Sequence, residues 1–195
     1  MKTFANTPTI KTNRLILRKF TKNDIQALFE IFSDEIVNTY LPWFVLKTLN
    51  EAKIFFKEKY IEAYKHPNTY KYAICLKSNN IPIGYVNISN DDSHDLGYGL
   101  KKEYWNQGIV TEACKAVVTI LKKSDIPYIT ATHDINNPRS GSIMKNIGMT
   151  YCYSFEEQWQ PKNKLVIFKM YQLNLDEQNH KIYKKYWNNS ITHFV

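Results

Sequence analysis

Leu15, Leu17 and Phe20 alternate with polar residues and predict a strand over residues 12–20. The period then changes. Ile25, Leu28, Phe29 and Phe32 share one helical face, and Thr21 caps a helix over residues 24–32. Residues 34–42 keep no clean period and read as a short helix followed by a loop. Thr48 and Glu51 have capping-box spacing at the head of a second helix, which His66-Pro67 ends near Lys65. Strands follow over residues 70–77 and 81–89, joined at Ser78-Asn79-Asn80. Gly84 inside the second marks a bulge or a close backbone contact. After a polar turn at 90–93, a further strand covers 94–100.

Helical spacing returns with Ala113, Val117, Ile120 and Leu121, for a helix over residues 108–124. A strand at 127–133 follows. Asn136-Asn137-Pro138 caps a helix to Asn146, and Gly148 ends it. Residues 149–159 and 164–174 read as a hairpin closed by Pro161-Lys162-Asn163. This order predicts an α/β (α+β) domain with a mixed sheet flanked by helices.

The chain is organised around residues 98–113, a strand end, a polar turn and a helix start. A glycine at a helix N-terminus lets a ligand approach free backbone amides, which suits an anion such as pyrophosphate. Gly97-Tyr98, then Tyr104-Trp105-Asn106-Gln107-Gly108-Ile109-Val110-Thr111-Glu112-Ala113, resembles the acyl-coenzyme A loop of the GNAT superfamily of N-acetyltransferases, in the branch of the ribosomal-protein N-terminal (alanine/serine) acetyltransferases. Val110 stands where the family prefers a small residue, Asn106 replaces a frequent glycine and Lys102 a frequent proline. Val110 predicts a narrower approach to pyrophosphate.

A second stretch carries the same resemblance. Asn137, Ser140, Ile143, Ile147, Gly148 and Met149 match the family's Asn-x-x-Ser and amphipathic helix. The likeness implies a single GNAT-like domain over residues 1–175, with about seven mostly antiparallel strands and two central strands that splay apart. It implies acetyl-CoA as the acyl donor, without a metal, held by Leu100, Lys101, Trp105, Asn106, Gln107, Gly108, Ile109, Val110, Thr111, Asn137, Ser140 and Met144. A backbone amide near Leu100 or Lys101 would polarise the thioester carbonyl. Ser140 would protonate the departing thiolate. The tyrosine that related branches carry four positions on is Met144 here. Asn137 also suits a helix cap, and Glu112 the first turn of a helix.

Amine attack on a thioester needs a group to take the amine proton and donors for the oxyanion. The strand ends offer His94 and Asp95, then His133 and Asp134, and the late hairpin Glu156 and Glu157. Alternation sends only one of each adjacent pair to the cleft. Asp95, His133 and Ser140 are the catalytic candidates, although capping or surface roles explain each of these residue types equally well. The acceptor is a protein N-terminus or a small primary amine. Tyr40, Trp43, Phe44, Tyr70, Tyr153, Phe155 and Trp159 are dense around its expected pocket, and core packing accounts for most of them. A non-catalytic acyl-CoA sensor on the same fold is the alternative, motivated by Val110 and the missing tyrosine.

The 195 residues suit one domain. The net charge of +8 and pI near 9.2 fit an anionic cosubstrate. The lysines are scattered in pairs, and no nucleic-acid motif accompanies them, so nucleic acid is not an expected partner. No apolar run approaches the roughly 20 residues of a membrane span, and no signal-peptide core opens the chain. A cytoplasmic, non-membrane protein is expected. Cys75, Cys114 and Cys152 have no metal spacing, and Cys75 and Cys114 lie in apolar patterns as buried thiols. Residues 176–195 lie outside the resemblance. This aromatic and basic extension packs on the body or on a second copy, or is partly disordered, and a homodimer is one expectation.

Overall fold

Alternating apolar residues build two sheets in the computed structural model, which describes residues 6–176 and 181–195. The first sheet is antiparallel, in the order β1 (Ile10–Lys11), β2 (Leu15–Arg18), β3 (Tyr70–Leu76), β4 (Pro82–Ile88) and β5 (Leu96–Leu100). The strand expected over 12–20 is β2, shorter at both ends, and a two-residue strand before it makes a small hairpin. Ile10 pairs with Leu17 across a turn in which the Thr12 hydroxyl accepts from Leu15 N–H at 2.9 Å. The second sheet runs β6 (Tyr128–Asp134), β8 (Lys164–Asn174), β7 (Thr150–Trp159) and β9 (His193–Phe194). One parallel bridge, Asp95 to Thr130, joins the two sheets.

Helix α1 (Ile25–Ser33) and helix α2 (Leu49–Phe56) cover one face of the first sheet. The helix expected to reach Lys65 stays helical but changes pitch, with a wide π turn at Lys57–Ile61 and a tight 3-10 turn at Ala63–Lys65. Tyr60 in the wide turn is buried against Phe20, with centroids 4.6 Å apart. At the head of α2, Thr48 accepts from Glu51 N–H at 3.2 Å, while the Glu51 carboxylate reaches back to Lys47 N–H at 2.7 Å. That is one residue earlier than the capping-box spacing predicts.

Helix α3 (Ile109–Leu121) and helix α4 (Pro138–Asn146) lie on the opposite face. The main core forms beneath them from Leu17, Tyr72, Val86, Leu96, Val117 and Ile129. Strand alternation therefore divides β5. Leu96, Tyr98 and Leu100 point to the main core, whereas Gly97 and Gly99 share the α1/α2 face. Gly99 faces the Tyr85 ring there, and a Cβ on it would sit 2.5 Å from a ring carbon. Cys75 and Cys114 are buried free thiols, and burial pushes the Cys75 thiol up to about 12.

A third cluster, Tyr153, Phe155, Val166, Phe168 and Met170, continues the α1/α2 face onto the second sheet. The C-terminal segment covers it. Helix α5 (Lys185–Asn189) lays Tyr186 flat on Phe155, with centroids 5.2 Å and planes 3° apart. Strand β9 pairs with Ser154 and Phe155. Among the described residues, no helix is long and apolar enough to cross a membrane, and no cluster of metal-ligating side chains occurs.

Candidate active site

Strands β5 and β6 run parallel, touch at Asp95 and Thr130, and then diverge. The antiparallel ladder decides which amides face the gap. Lys101 N–H donates to Ile83 C=O at 2.8 Å, and Ser89 N–H donates to Asp95 C=O at 2.9 Å. Odd-numbered residues of β5 therefore bond to β4, and the even ones turn away from it. The amides of Tyr98 and Leu100 are aimed into the cleft, and that of Lys101 is not. The Lys101 side chain is held by Glu30 on α1.

The loop beyond β5 is built for a close approach. A 3-10 turn at Lys102–Tyr104 leads to Trp105, whose indole N–H donates to Leu100 C=O at 2.8 Å. Asn106 and Gly108 take left-handed conformations, with φ of 60° and 71°. The first hydrogen bond of α3 runs from Glu112 N–H to Gly108 C=O at 3.0 Å. The amides of Ile109, Val110 and Thr111 precede it and have no intrahelical acceptor. Asn106, Gln107 and Gly108 are exposed. The Val110 side chain turns inward and is 8% exposed within the main core, so its bulk lies in the packing and not over these amides.

Arg14 fastens this loop from β2's side. Its guanidinium donates to Gln107 C=O at 2.9 Å and to the Glu112 carboxylate at 2.7 Å. The same carboxylate accepts from the Thr12 hydroxyl at 2.6 Å. These hydrogen bonds, from Thr12 and Arg14, keep Glu112 below the ordinary carboxylate range despite partial burial. Glu112 is thus a clasp between the first hairpin and α3.

The other lip of the cleft is the start of α4. Asn137 caps the helix, its side-chain oxygen accepting from Ser140 N–H at 3.4 Å. The Tyr98 hydroxyl lies 2.8 Å from both the carbonyl and the hydroxyl oxygen of Ser140. A carbonyl only accepts, so Tyr98 donates to it and receives the Ser140 proton. Burial raises the Tyr98 phenol well above its usual range, which keeps it protonated. Arg139 lies over the Trp105 ring at 5.6 Å and spans the mouth of the cleft. Met144 is 1% exposed inside the main core, a packing position and not a lip of the cleft.

The acid–base candidates separate by face. Asp95 and Thr130 lie on the α1/α2 side of the sheets, where burial pushes the Asp95 carboxyl up to about 7. Asp91 adds to the rise and the Thr130 hydroxyl, at 3.4 Å, opposes it. His133 lies on the opposite face under α4, where Gly141 leaves room for its ring. Its Nδ1 donates to Asp134 C=O at 2.9 Å, and burial lowers its proton affinity. The structure does not bring His133 and Asp95 together. His94 lies beside Tyr128 on the turn before β5. The Asp134 carboxylate is bonded to Asn136 N–H and to the Asn136 side chain. Tyr153 and Phe155 are under the tail, Trp159 packs on Phe168, and Trp43 packs on Phe32.

Sequence reasoning missed Tyr98, Arg139 and Arg14. Tyr98 stands in the quoted Gly-Tyr pair, but its link to Ser140 crosses 42 positions and only the fold makes it.

Comparison with known proteins agrees with this geometry. Residues 14–150 match the family model of the acetyltransferase (GNAT) domain. YnaD, an uncharacterised N-acetyltransferase of Bacillus subtilis (strain 168), is 31% identical over 144 residues, covering 72% of this chain and 81% of that protein. An acetyltransferase of the GNAT family from Bacillus anthracis superposes with a TM-score of 0.73 at 25% identity, over 86% of this chain and 99% of that one. The microcin C7 self-immunity acetyltransferase MccE, solved with acetyl-CoA and AMP, has a TM-score of 0.73 at 16% identity, over 84% and 93% of the two chains. A splayed strand pair with a glycine-opened helix at its mouth, and a family model that spans most of the chain, place this protein in the GNAT superfamily of acetyl-CoA-dependent N-acetyltransferases.

Proposed function

We propose that this enzyme transfers the acetyl group of acetyl-CoA to a primary amine by direct attack within a ternary complex, with Asp95 as the proton acceptor. The observation that carries this reading is the placing of a neutral-range carboxylate and a hydrogen-bonded serine on opposite faces of one splayed strand pair.

The residues at the cleft mouth fit the cosubstrate. Three free amides at the start of α3, two left-handed residues and no side chain at Gly108 make a diphosphate cradle. Arg139 adds a cation across the mouth. When bound, acetyl-CoA supplies an activated thioester. Tyr98 and Leu100 then direct amides at the carbonyl oxygen, where negative charge develops. Asp95 in its ionised form takes a proton from the amine as the C–N bond forms. Ser140 gives its proton to the sulfur as the C–S bond breaks and regains one from solvent as the product leaves, while the Tyr98 hydroxyl donates a hydrogen bond to the serine oxygen.

The acceptor reaches β5 from the α1/α2 side. A Cβ added at Gly97 would meet nothing within 4 Å, so an opening stands over that residue. Asn87 pairs with Gly97 across the ladder, and its side chain lies beside the Tyr60 hydroxyl, two buried polar groups on this face. Both suit a polar amine donor. Phe44, 66% exposed, leaves an apolar group beside this half of the molecule for a peptide or small-molecule acceptor. The two features that favour a non-catalytic sensor lose their force, because Val110 is packed in the core and Tyr98 brings a phenol to Ser140.

Calorimetric titration with acetyl-CoA tests the cosubstrate, with one site per chain expected. An amine panel with product detection tests transfer, and no acetylated product from N-terminal peptides or small amines would refute it. Arg139→Ala should weaken acetyl-CoA binding by about 10-fold at low salt, the worth of one charge-assisted contact, and flatten its salt dependence. Unchanged affinity across a salt series would remove Arg139 from the site. Ser140→Ala should lower kcat by about 10²-fold with little change in acetyl-CoA affinity. An unchanged kcat would leave the serine a purely structural part.

A further inference from the structure

The hairpin of β7 and β8 overhangs the open end of the cleft. Phe168 of β8 pairs with Asp134, the last residue of β6, and the hairpin continues to the pair of Lys164 with Trp159. Its tip is thereby carried about 13 Å past the end of β6, at about 3.3 Å per residue. That end is the one at which β5 and β6 diverge. On the side of the first sheet, Glu30 of α1 pairs with Lys101 just beyond β5. The loop after α1 therefore starts at the same end of the cleft.

Each of these two walls is braced on itself. In the loop after α1, Asn38 is 1% exposed. Its side chain donates to Ile31 C=O at 2.9 Å and to Asp34 C=O at 2.7 Å, and accepts from the Trp43 indole N–H at 3.2 Å. Leu46 N–H donates to Phe32 C=O at 3.0 Å and ties the loop back to α1. At the hairpin tip Asn163 is left-handed, with φ of 49°. Its side-chain oxygen accepts from Gln158 at 2.9 Å and from Gln160 at 3.2 Å. Lys162 then joins the two walls, its ammonium donating to Asn38 C=O at 3.2 Å and to Thr39 C=O at 3.3 Å. A closed circuit results. It runs from β5 through the bridge to β6, along β8 to the hairpin tip, across Lys162 to the loop after α1, and back through Glu30 and Lys101.

We propose that Lys162 is a strap across the acceptor entrance, a specificity-determining residue that admits narrow primary amines and holds out wide ones. The proposal rests on the reading that the acceptor reaches β5 from the α1/α2 side. A narrow amine passes within the circuit. A wide one enters only after both bonds of the Lys162 ammonium are broken, so its apparent affinity falls with the fraction of molecules that stand open. The walls themselves do not yield, because their internal hydrogen bonds are made whether or not the strap is closed.

The test reads the entrance with a thiol and needs no acceptor. Gly97→Cys places that thiol in the opening over β5, where an added Cβ meets nothing within 4 Å. Cys75 and Cys114 are buried, and Cys152→Ser removes the partly exposed native thiol. Labelling is followed with methyl methanethiosulfonate, which is narrow, and with pyrenyl maleimide, which is wide. Lys162→Met keeps the stem and loses the donors. It should speed the wide reagent by about 5-fold, the worth of one modest hydrogen bond, and leave the narrow one unchanged. Lys162→Arg keeps donors and should label as the native residue does. An unchanged rate for the wide reagent in Lys162→Met overturns the strap. In a second arm, without Gly97→Cys, the amine found active in the panel is compared with its naphthyl derivative. Lys162→Met should raise kcat/KM for the derivative by about 5-fold relative to the parent, with acetyl-CoA affinity unchanged. Faster labelling without this gain refutes Lys162 as a specificity residue and entry from the α1/α2 side. No product from any amine refutes transfer itself, and labelling still decides the strap.

Discussion

Asp95→Asn should lower kcat by about 10²–10⁴-fold, the range that a positioned general base contributes, while acetyl-CoA binds as before. Asparagine nearly preserves the shape at the sheet junction and cannot take a proton. The native enzyme should show kcat/KM rising with pH to a midpoint near 7, because Asp95 works only when ionised and its proton leaves near that value. The variant should lose this limb. Full activity in Asp95→Asn across pH 6–9 would transfer the base role to another group. Stability offers an independent check. The folded state holds the Asp95 proton near 7, whereas the unfolded chain releases it near about 4. The folded protein therefore binds more protons between those values and loses stability from this group as pH rises through them. Thermal unfolding of Asp95→Asn relative to the native chain should shift in the variant's favour between about pH 4 and 7. A pH-independent difference would show that burial does not hold the carboxyl in its neutral form.

Gly108→Val should abolish measurable acetyl-CoA binding, with a loss of at least about 100-fold. Two causes act together. The φ of 71° at Gly108 is left-handed, which costs a residue with a side chain about 1–2 kcal/mol and a β-branched one more. The added side chain also stands before the amides of Ile109, Val110 and Thr111. Each lost hydrogen bond to a charged oxygen is worth about 1.5–3 kcal/mol. The nearest atom to an added Cβ is an Arg14 nitrogen at 3.8 Å, an ordinary contact, so the fold itself should survive. Calorimetry on a variant with native circular dichroism checks this. Retained affinity would place the phosphates elsewhere.

Much of the fold is legible in local pattern. The period of α3 is carried by Ala113, Val117 and Leu121, and each is fully buried. Asn137 and Pro138 announce the start of α4, and Gly148, with φ of 93°, its end. The loop around Gly108 is legible for the same reason: a backbone that must open at a helix start restricts its residues locally. The strand expected over 12–20 starts only at Leu15, because Thr12 turns the chain by a backbone-to-hydroxyl bond that alternation does not register. The expected sheet is met as two, because parallel pairing between β5 and β6 stops at a single bridge.

Three judgements belong to tertiary structure alone. Val110 looks obstructive in sequence, but the rotation of α3 sends it into the core. His133 and Asp95 are equal candidates in sequence, and strand direction puts them on opposite faces. The tail reads as an appendage, yet its Tyr186 lies flat on Phe155 of the second sheet. The sequence by itself determined the element order, the glycine-opened loop before α3 and the family, because these depend on short-range spacing and on backbone freedom at particular residues. Tertiary structure decided which carboxylate is desolvated, which phenol meets Ser140 and what covers the second sheet. Those properties arise from contacts between residues tens of positions apart, where burial, and not residue type, sets the chemistry.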